Sequence, residues 1–501
     1  MSTRYIGALD AGTTSVRFMV FDHEAKVVAQ AQKEHRQIFP QQGWVEHDPL
    51  EIWANCAEVI RTALSSVELT GNDIGALGIT NQRETTVIWE RATGRPVHNA
   101  LVWQDTRTDR LCNQWLADGL EPEIAHRSGL PISPYFASSK IRWILDHIDN
   151  GTVRARRGEL CFGTIDSWLL LQLSADQRHV TDVTNASRTM CMNLETLDWD
   201  ESLLAALDIP AAILPTIAPS SSADALGTTA ADGPLDARVP ICGILGDQQA
   251  ATVGQACLTP GEAKNTYGTG CFLLLNTGRE IRRSTKGLIS TVAYRFGDRP
   301  AVYALEGSVA MGGATVQWLR DEMQMIDNAA DSEALAASVP DNGGCYLVPA
   351  FSGLFSPWWR SDARGVLAGL TRYVTKAHVV RAALEAICFQ SRDVLDVMIE
   401  EGGVAMPRLN VDGGATANDF LMQLQADILG IPVARPVITE TTSLGAAYAA
   451  GLATGYWESE NEIRSGFKVD RVWEPATAAV ERDALHANWL KAVDRTLNWV
   501  D

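Results

Sequence analysis

"YIGALDAGTTSVRFMVFD", residues 5–22, reads as two apolar runs joined by a small polar turn. Ile6-Gly7-Ala8-Leu9 scarcely alternates, as expected of a strand covered on both faces. Phe18-Met19-Val20-Phe21 reads as its return strand. A plain two-residue hairpin asks only for Asn-Gly or Asp-Gly, yet this bend carries Asp10, Gly12, Thr13, Thr14 and Arg17. Gly-rich turns present backbone N–H groups to anions. Threonine hydroxyls add donors for phosphate oxygens, and Arg17 adds a charge-assisted contact. Asp10 repels phosphate, so on a functional reading its partner is a bridging Mg²⁺ that retains waters. The other reading is an Asx residue capping the turn, and the stretch alone does not decide between them.

The same frame returns at mid-chain in "KNTYGTGCFLLLNTG" (264–278), where Gly268-Thr269 aligns with Gly12-Thr13 and Thr266 stands in place of Asp10. A second pair is "GILGDQQAA" (243–251) with "NVDGGATAND" (410–419), each an apolar strand ending in Gly and a helix start. The chain therefore reads as two related α/β halves, 1–252 and 253–501, with the boundary near 252–262. Further strands are expected at "ALGIT" (76–80) and "PICGIL" (240–245), and a long amphipathic helix over 378–401. "APSSSADALGTTAADGPLDAR" (218–238) reads as a surface excursion.

Composition narrows the class. A chain of 501 residues is too long for one ordinary core, and 46% hydrophobic with 21% charged residues is the make-up of a globular protein. A net charge of −19 argues against nucleic-acid binding and gives no attraction to anionic membranes, so an anionic substrate must meet locally placed cations. No apolar run approaches the ~18–20 residues of a membrane span, and no signal-peptide pattern is evident. The nine cysteines are scattered, without Cys-x-x-Cys or zinc spacing. The expected setting is a reducing cytoplasm.

Four Gly-rich turns paired across two halves fit a phosphate chain held in a cleft. The sequence lacks Gly-x-x-x-x-Gly-Lys-Ser/Thr and the protein-kinase motif set, so the phosphate site is of another design. Asp247, in Gly246-Asp247-Gln248-Gln249, falls where a strand gives way to a helix. It is either a helix cap or a carboxylate that takes the proton of a hydroxyl attacking a γ-phosphate. Arg83-Glu84, in "GITNQRETTVIWE" (78–90), is either a solvated hairpin tip or the adjacent donor and acceptor that a neutral polyol needs. Of the 15 tryptophans most belong in the core, with one or two left to face a polyol's C–H surface.

Almost end to end, the chain resembles the FGGY carbohydrate kinases. The stretches that carry the likeness are "LDAGTTS" (9–15), "GWVEHDP" (43–49), "GITNQRETT" (78–86), "GDQQAA" (246–251), "NTYGTGCF" (265–272), "GVLAGLTRYVTKAHVVRAALE" (365–385) and "DGGATAN" (412–418). "NQRETT" is similar to the glycerol-phosphorylating branch rather than to xylulose, gluconate or ribulose kinases. The resemblance implies an α/β fold of two duplicated ribonuclease H-like (actin/Hsp70-type ATPase) domains about a central cleft, with ATP and Mg²⁺ as cofactors. It implies that Arg83, Glu84, Tyr135, Asp247 and Gln248 hold glycerol, that Trp103 and Phe272 pack on its carbons, and that Asp247 is the catalytic base. Thr13, Thr14, Ser15, Arg17, Thr269, Gly313, Gln317, Gly414 and Asn418 would contact nucleotide, and Asp10 would orient Mg²⁺ through water. A homodimer or homotetramer is implied, with no nucleic-acid partner and no membrane span.

Two departures stand out. "GLFSPWWRSDARG" (353–365) has Phe355-Ser356 where the family has a small Gly-Ala pair, which puts the local loop shape in question. "DGPLDAR" (232–238) replaces the Gly-Gly-Thr-Arg turn at which some bacterial members bind fructose 1,6-bisphosphate. The rivals are an FGGY kinase for a longer polyol or sugar, and an actin/Hsp70-type ATPase that uses nucleotide only as a switch. The polar set Arg83, Glu84, Tyr135 and Asp247 favours the kinase.

Overall fold

Tyr5–Ala11 (β1) and Ser15–Phe21 (β2) pair antiparallel, with Asp10 opposite Arg17. Val27–Glu34 (β3) extends the meander beyond β2, while Ile74–Asn81 (β4) and Ile241–Gly246 (β5) add in parallel on the far side of β1, giving the order β5-β4-β1-β2-β3. The computed structural model describes residues 5–224 and 226–500. Pro49–Ser65 (α1) covers this sheet, its first turn capped by the Asp48 side chain, which accepts from Leu50 N.

The second sheet repeats the plan. Ala263–Tyr267 (β6) and Cys271–Gly278 (β7) form the hairpin, followed by Ile289–Tyr294 (β8), Val302–Val309 (β9), Leu409–Asp412 (β10), Val433–Pro436 (β11) and Val469–Trp473 (β12). Their order is β8-β9-β7-β6-β10-β11-β12. β10 and β11 run parallel to β6 as β4 and β5 run parallel to β1. The duplicated ribonuclease H-like layout is therefore present. The pairing of 243–251 with 410–419 is not: β10 occupies the inner place of β4, and the outer β5 corresponds to β11. Both strands are short and run into a glycine turn and a helix, so the local sequence does not separate inner from outer.

Five helices matter for the site: Asp247–Gly254 (α2), Gly313–Asp321 (α3), Lys376–Gly402 (α4), Asp419–Leu429 (α5) and Thr441–Thr454 (α6). The expected helix over 378–401 is α4, opened by a Thr375/His378 capping box and closed by Gly403 at φ 65°. Each sheet has its own apolar core, and a third cluster joins the halves, with Ile6, Ala8, Cys242 and Ala250 against Leu274, Leu444, Ala446 and Ala450. α6 crosses α2 and the first sheet at minimal distance. A Cβ on Gly78 would lie 2.1 Å from Ala446 O, and one on Gly445 1.8 Å from Ala250 O.

Residues 218–238 are not the surface excursion that their Ser, Ala and Gly content suggests. Ser220, Ser221, Leu226, Thr229 and Leu235 are buried, and Leu226 and Leu235 join the core that holds Leu9 and Ile79. Two leucines and the hydrogen bond from Ser221 Oγ to Ala449 O (2.6 Å) pin the segment down.

Candidate active site

Three parallel strands end at one edge in mutual register: Ala11 beside Asn81, and Asn81 beside Gly246. The segments that follow them are the Gly12–Thr14 turn, Gln82–Thr85, and Asp247 at the start of α2. Open α/β sheets bind ligands at such carboxyl ends, so chain topology alone gathers these groups. They line a cavity of about 170 Å³. Its walls include the expected Thr13, Thr14, Arg83, Glu84, Trp103, Tyr135, Asp247, Gln248, Thr269 and Phe272, together with Gln37, Gln104 and Gly270, which the sequence reading did not single out.

Arg83 and Glu84 are buried rather than a solvated hairpin tip, and Glu84 takes a left-handed φ of 60°. The two belong to a closed set of four buried charges. Arg83 donates through Nη1 and Nη2 to the two carboxylate oxygens of Glu306 (2.6 and 2.8 Å). Arg188 donates to Glu84 Oε1 (2.6 Å) and Glu306 Oε1 (3.1 Å). Two guanidiniums and two carboxylates cancel, which a dry interior demands of buried ions. Burial opposes ionisation of Glu306, but Arg188 and Arg83 outweigh it and hold its carboxyl down at about 2.

Arg83 Nε lies 3.2 Å from Asp247 Oδ1. Asp247 is the first residue of α2, not its cap, which is Gly246; its own Oδ1 accepts from Gln248 N (2.8 Å). Behind it Lys264, fully buried, donates to Gln248 Oε1, Thr266 Oγ1 and Phe272 O. Burial lowers its ammonium to about 8, with the Asp412 charge opposing that shift. Trp103, Tyr135 and Phe272 supply the apolar side, with Trp103 edge-on to Tyr135 at 5.6 Å and to Phe272 at 6.1 Å.

The Gly12–Thr14 turn is held from behind. Thr13 O accepts from His35 Nε2 (2.9 Å) and Gln37 Nε2 (3.0 Å), and Gly12 O from Gln82 Nε2 (3.0 Å). With these carbonyls engaged inward, Thr13 Oγ1 meets Trp103 Nε1 at 3.0 Å in the cavity wall. His47, of "GWVEHDP", donates through Nε2 to Gln37 Oε1 at 2.8 Å, and burial keeps it neutral by lowering its pKa to about 3. The Asp10 carboxylate accepts from Ser443 Oγ of α6 at 3.3 Å. Burial, reinforced by the Asp247 charge and opposed by Arg17, raises its carboxyl to about 6. Arg17 itself pairs with Glu440 of the other half and with Gln32 Oε1 (2.9 Å), while Ser15 Oγ accepts from Gln32 Nε2 (3.0 Å).

The remaining expected residues lie outside the cavity, on the second half's turns and helices. Gly313 N donates to Gly268 O (2.8 Å) and Gly312 N to Thr269 O (2.9 Å), which joins the start of α3 to the 268–270 turn. Gly413, at φ 90°, approaches so closely that a Cβ would lie 2.4 Å from Tyr267 O. Gly414 and Gln317 are exposed, and Asn418 caps α5, its side chain accepting from Leu421 N (2.8 Å). Three glycine turns thus form one shelf beside the cavity. Sequence reasoning missed Glu306, Arg188 and Lys264. Glu306 is a lone charge in the apolar run "VYALEGSV", whereas Arg188 and Lys264 stand among polar neighbours that give no such signal.

Two family models cover the chain: the N-terminal domain of the FGGY family of carbohydrate kinases matches residues 5–254, and the C-terminal domain matches 263–454. The chain belongs to the FGGY family of carbohydrate kinases. Among relatives of this FGGY kinase, glycerol kinase 1 of Streptomyces coelicolor is 58% identical over 99% of this chain and 98% of that protein. A glycerol kinase of Mycobacterium tuberculosis is 56% identical over 100% and 97%. Among solved structures, Plasmodium falciparum glycerol kinase with ADP superposes with a TM-score of 0.92 at 37% identity, covering 99% of this chain and 98% of that one.

Proposed function

We propose that this FGGY kinase transfers the γ-phosphoryl group of ATP to a terminal hydroxyl of glycerol, giving sn-glycerol 3-phosphate. The observation that carries the reading is the cavity itself: the donor Arg83, the acceptors Glu84 and Asp247, and two aromatic walls enclose about 170 Å³ directly beside the Thr13-Thr14 turn. The relatives at 56–58% identity, all named glycerol kinase, support the same substrate, and the ADP of the Plasmodium structure supports the same cofactor class.

Asp247 accepts the hydroxyl proton as that oxygen attacks the γ-phosphorus. Arg83 Nε, 3.2 Å from its carboxylate, keeps it turned into the cavity. Arg83, Glu84, Tyr135 and Gln248 hold the polyol hydroxyls, with Trp103 and Phe272 on its carbons. The Thr13-Thr14-Ser15 turn and Thr269 hold the phosphates, and the shelf of Gly313, Gln317, Gly414 and Asn418 holds the nucleoside. Arg17 reaches a phosphate by exchanging its Glu440 partner. Among the described residues no three His, Cys, Asp or Glu side chains gather as a metal site, which suits an ion held mainly by nucleotide and water. Asp10, hydrogen-bonded to Ser443 Oγ and with a carboxyl raised by burial and by Asp247, fits as the residue that orients it. When bound, Mg²⁺ neutralises charge on the β- and γ-phosphates.

The domain division at 1–252 and 253–501, a cytoplasmic location and assembly as a homodimer or homotetramer belong to the same proposal. Nine free, buried cysteines support the location, and among the described residues no helix is long and apolar enough to cross a membrane. ADP release measured with and without glycerol tests the activity. Turnover that needs glycerol and falls off across a panel of longer polyols is expected; turnover indifferent to glycerol would mean a switch ATPase.

A further inference from the structure

We propose that Glu306, on β9 of the second half, is a positioning residue of the polyol site, aiming Arg83 and, through Arg188, Glu84 at the substrate hydroxyls. The inference rests on the polyol reading of the cavity. Glu306 is fully buried on a strand whose register sets it beside the apolar Leu274 and Ile289. Its two oxygens grip both Nη atoms of Arg83, 223 residues away in sequence. A guanidinium is a rigid plane, so clamping one edge fixes where the remaining edge points. That edge is Nε, buried without a hydrogen bond and 3.2 Å from Asp247 Oδ1.

Glu84 is set by the same residue at one remove. Glu306 Oε1 also takes Arg188 Nη2, and Arg188 Nε takes Glu84 Oε1, which leaves Glu84 Oε2 with no protein hydrogen bond among the described residues. The Arg188 guanidinium also lies 5.7 Å from the Tyr135 ring. Glu306 thus stands at the root of three groups assigned to the polyol, and of none assigned to the nucleotide. Its charge matters as well as its shape. With Glu306 neutral, Arg83 would be drawn toward Asp247 alone and Arg188 toward Glu84 alone, closing both pairs against a hydroxyl.

Glu306→Gln in the full chain tests this by the split between substrates. KM for glycerol should rise by about tenfold or more, with KM for MgATP within about twofold of wild type. Thermal shift gives the readout independent of turnover: ADP should still raise the melting temperature of the variant, whereas millimolar glycerol, which raises that of the wild type, should not. Glu306→Asp, which keeps the charge but withdraws the carboxylate, should show a smaller rise in KM for glycerol, and it decides the matter where the Gln variant does not fold. A wild-type KM for glycerol in the folded variant, or equal losses for both substrates, would overturn the positioning role. Wild-type protein that neither responds to glycerol nor turns it over would overturn the polyol reading instead.

Discussion

At Asp247, helix capping and catalysis make opposite predictions, and the helix geometry separates them. Gly246 is the cap and Asp247 the first helical residue, so Asp247→Asn keeps an oxygen for the contact with Gln248 N while losing the charge beside Arg83 Nε and the ability to accept a proton. We expect kcat to fall by about 10²-fold or more with an unchanged melting temperature; a melting shift with retained kcat would return Asp247 to a structural role. Glu306 makes a different kind of statement. Its carboxyl is held at about 2 in the folded chain against 4.5 for the free side chain. It therefore contributes stability that is fully present above about pH 4.5 and lost as pH falls from there toward 2. Urea midpoints followed from pH 6 to 3 should drop more steeply in the wild type than in Glu306→Gln, and parallel slopes would refute the linkage. The two residues also mark what a sequence reveals. Asp247, Arg83 and Glu84 lie in compact polar motifs between apolar runs, where spacing betrays them. Glu306, Arg188 and Lys264 act through partners up to 223 positions away, and nothing local distinguishes a buried, paired charge from one at a strand edge.

At the scale of elements, the hairpin of β1 and β2, its echo in β6 and β7, and the long helix α4 were all legible, because period and turn chemistry are local. The depth of 218–238 was not, since two leucines among Ser and Gly decide it, nor was the placing of β10, because strand order is a long-range property. The crossing of α2 and α6 is a further long-range feature, and glycine is its only local trace. Gly445→Ala would favour helix by about 1 kcal/mol, but the new Cβ would stand 1.8 Å from Ala250 O with backbone on both sides. Overpacking of this kind costs ~1–3 kcal/mol or more, so the steric term wins. The variant should unfold at lower urea than the wild type, and a gain in stability would show that the helices part freely.

The two halves share one frame but divide the work. The first carries Asp247, the proposed base, and most of the proposed polyol site, the second the shelf and Glu306, and α6 closes the back of the cleft with Ser443 against Asp10. Control of such a molecule from outside the cleft needs a second built site, and the region where some bacterial relatives place one is occupied differently here. In those relatives successive glycine amides of a Gly-Gly-Thr-Arg turn meet a phosphate of fructose 1,6-bisphosphate. Here Gly233 N already donates to Ala230 O (3.0 Å) and Asp236 N to Gly233 O (3.1 Å), and Pro234 has no N–H. Leu235 is buried, with its carbonyl so close to Gly71 that a Cβ there would lie 2.2 Å away, so the turn is anchored inward rather than open. Asp236 is exposed and would repel the phosphate, which leaves the exposed Arg238 as the one cation of the stretch 232–238. Other relatives are activated through a phosphorylated histidine in this region, but no histidine lies between His179 and His378. Glycerol-dependent turnover should therefore be flat across a titration with millimolar fructose 1,6-bisphosphate. Clear inhibition would show that one exposed arginine and a pre-bonded turn suffice to hold a bisphosphate.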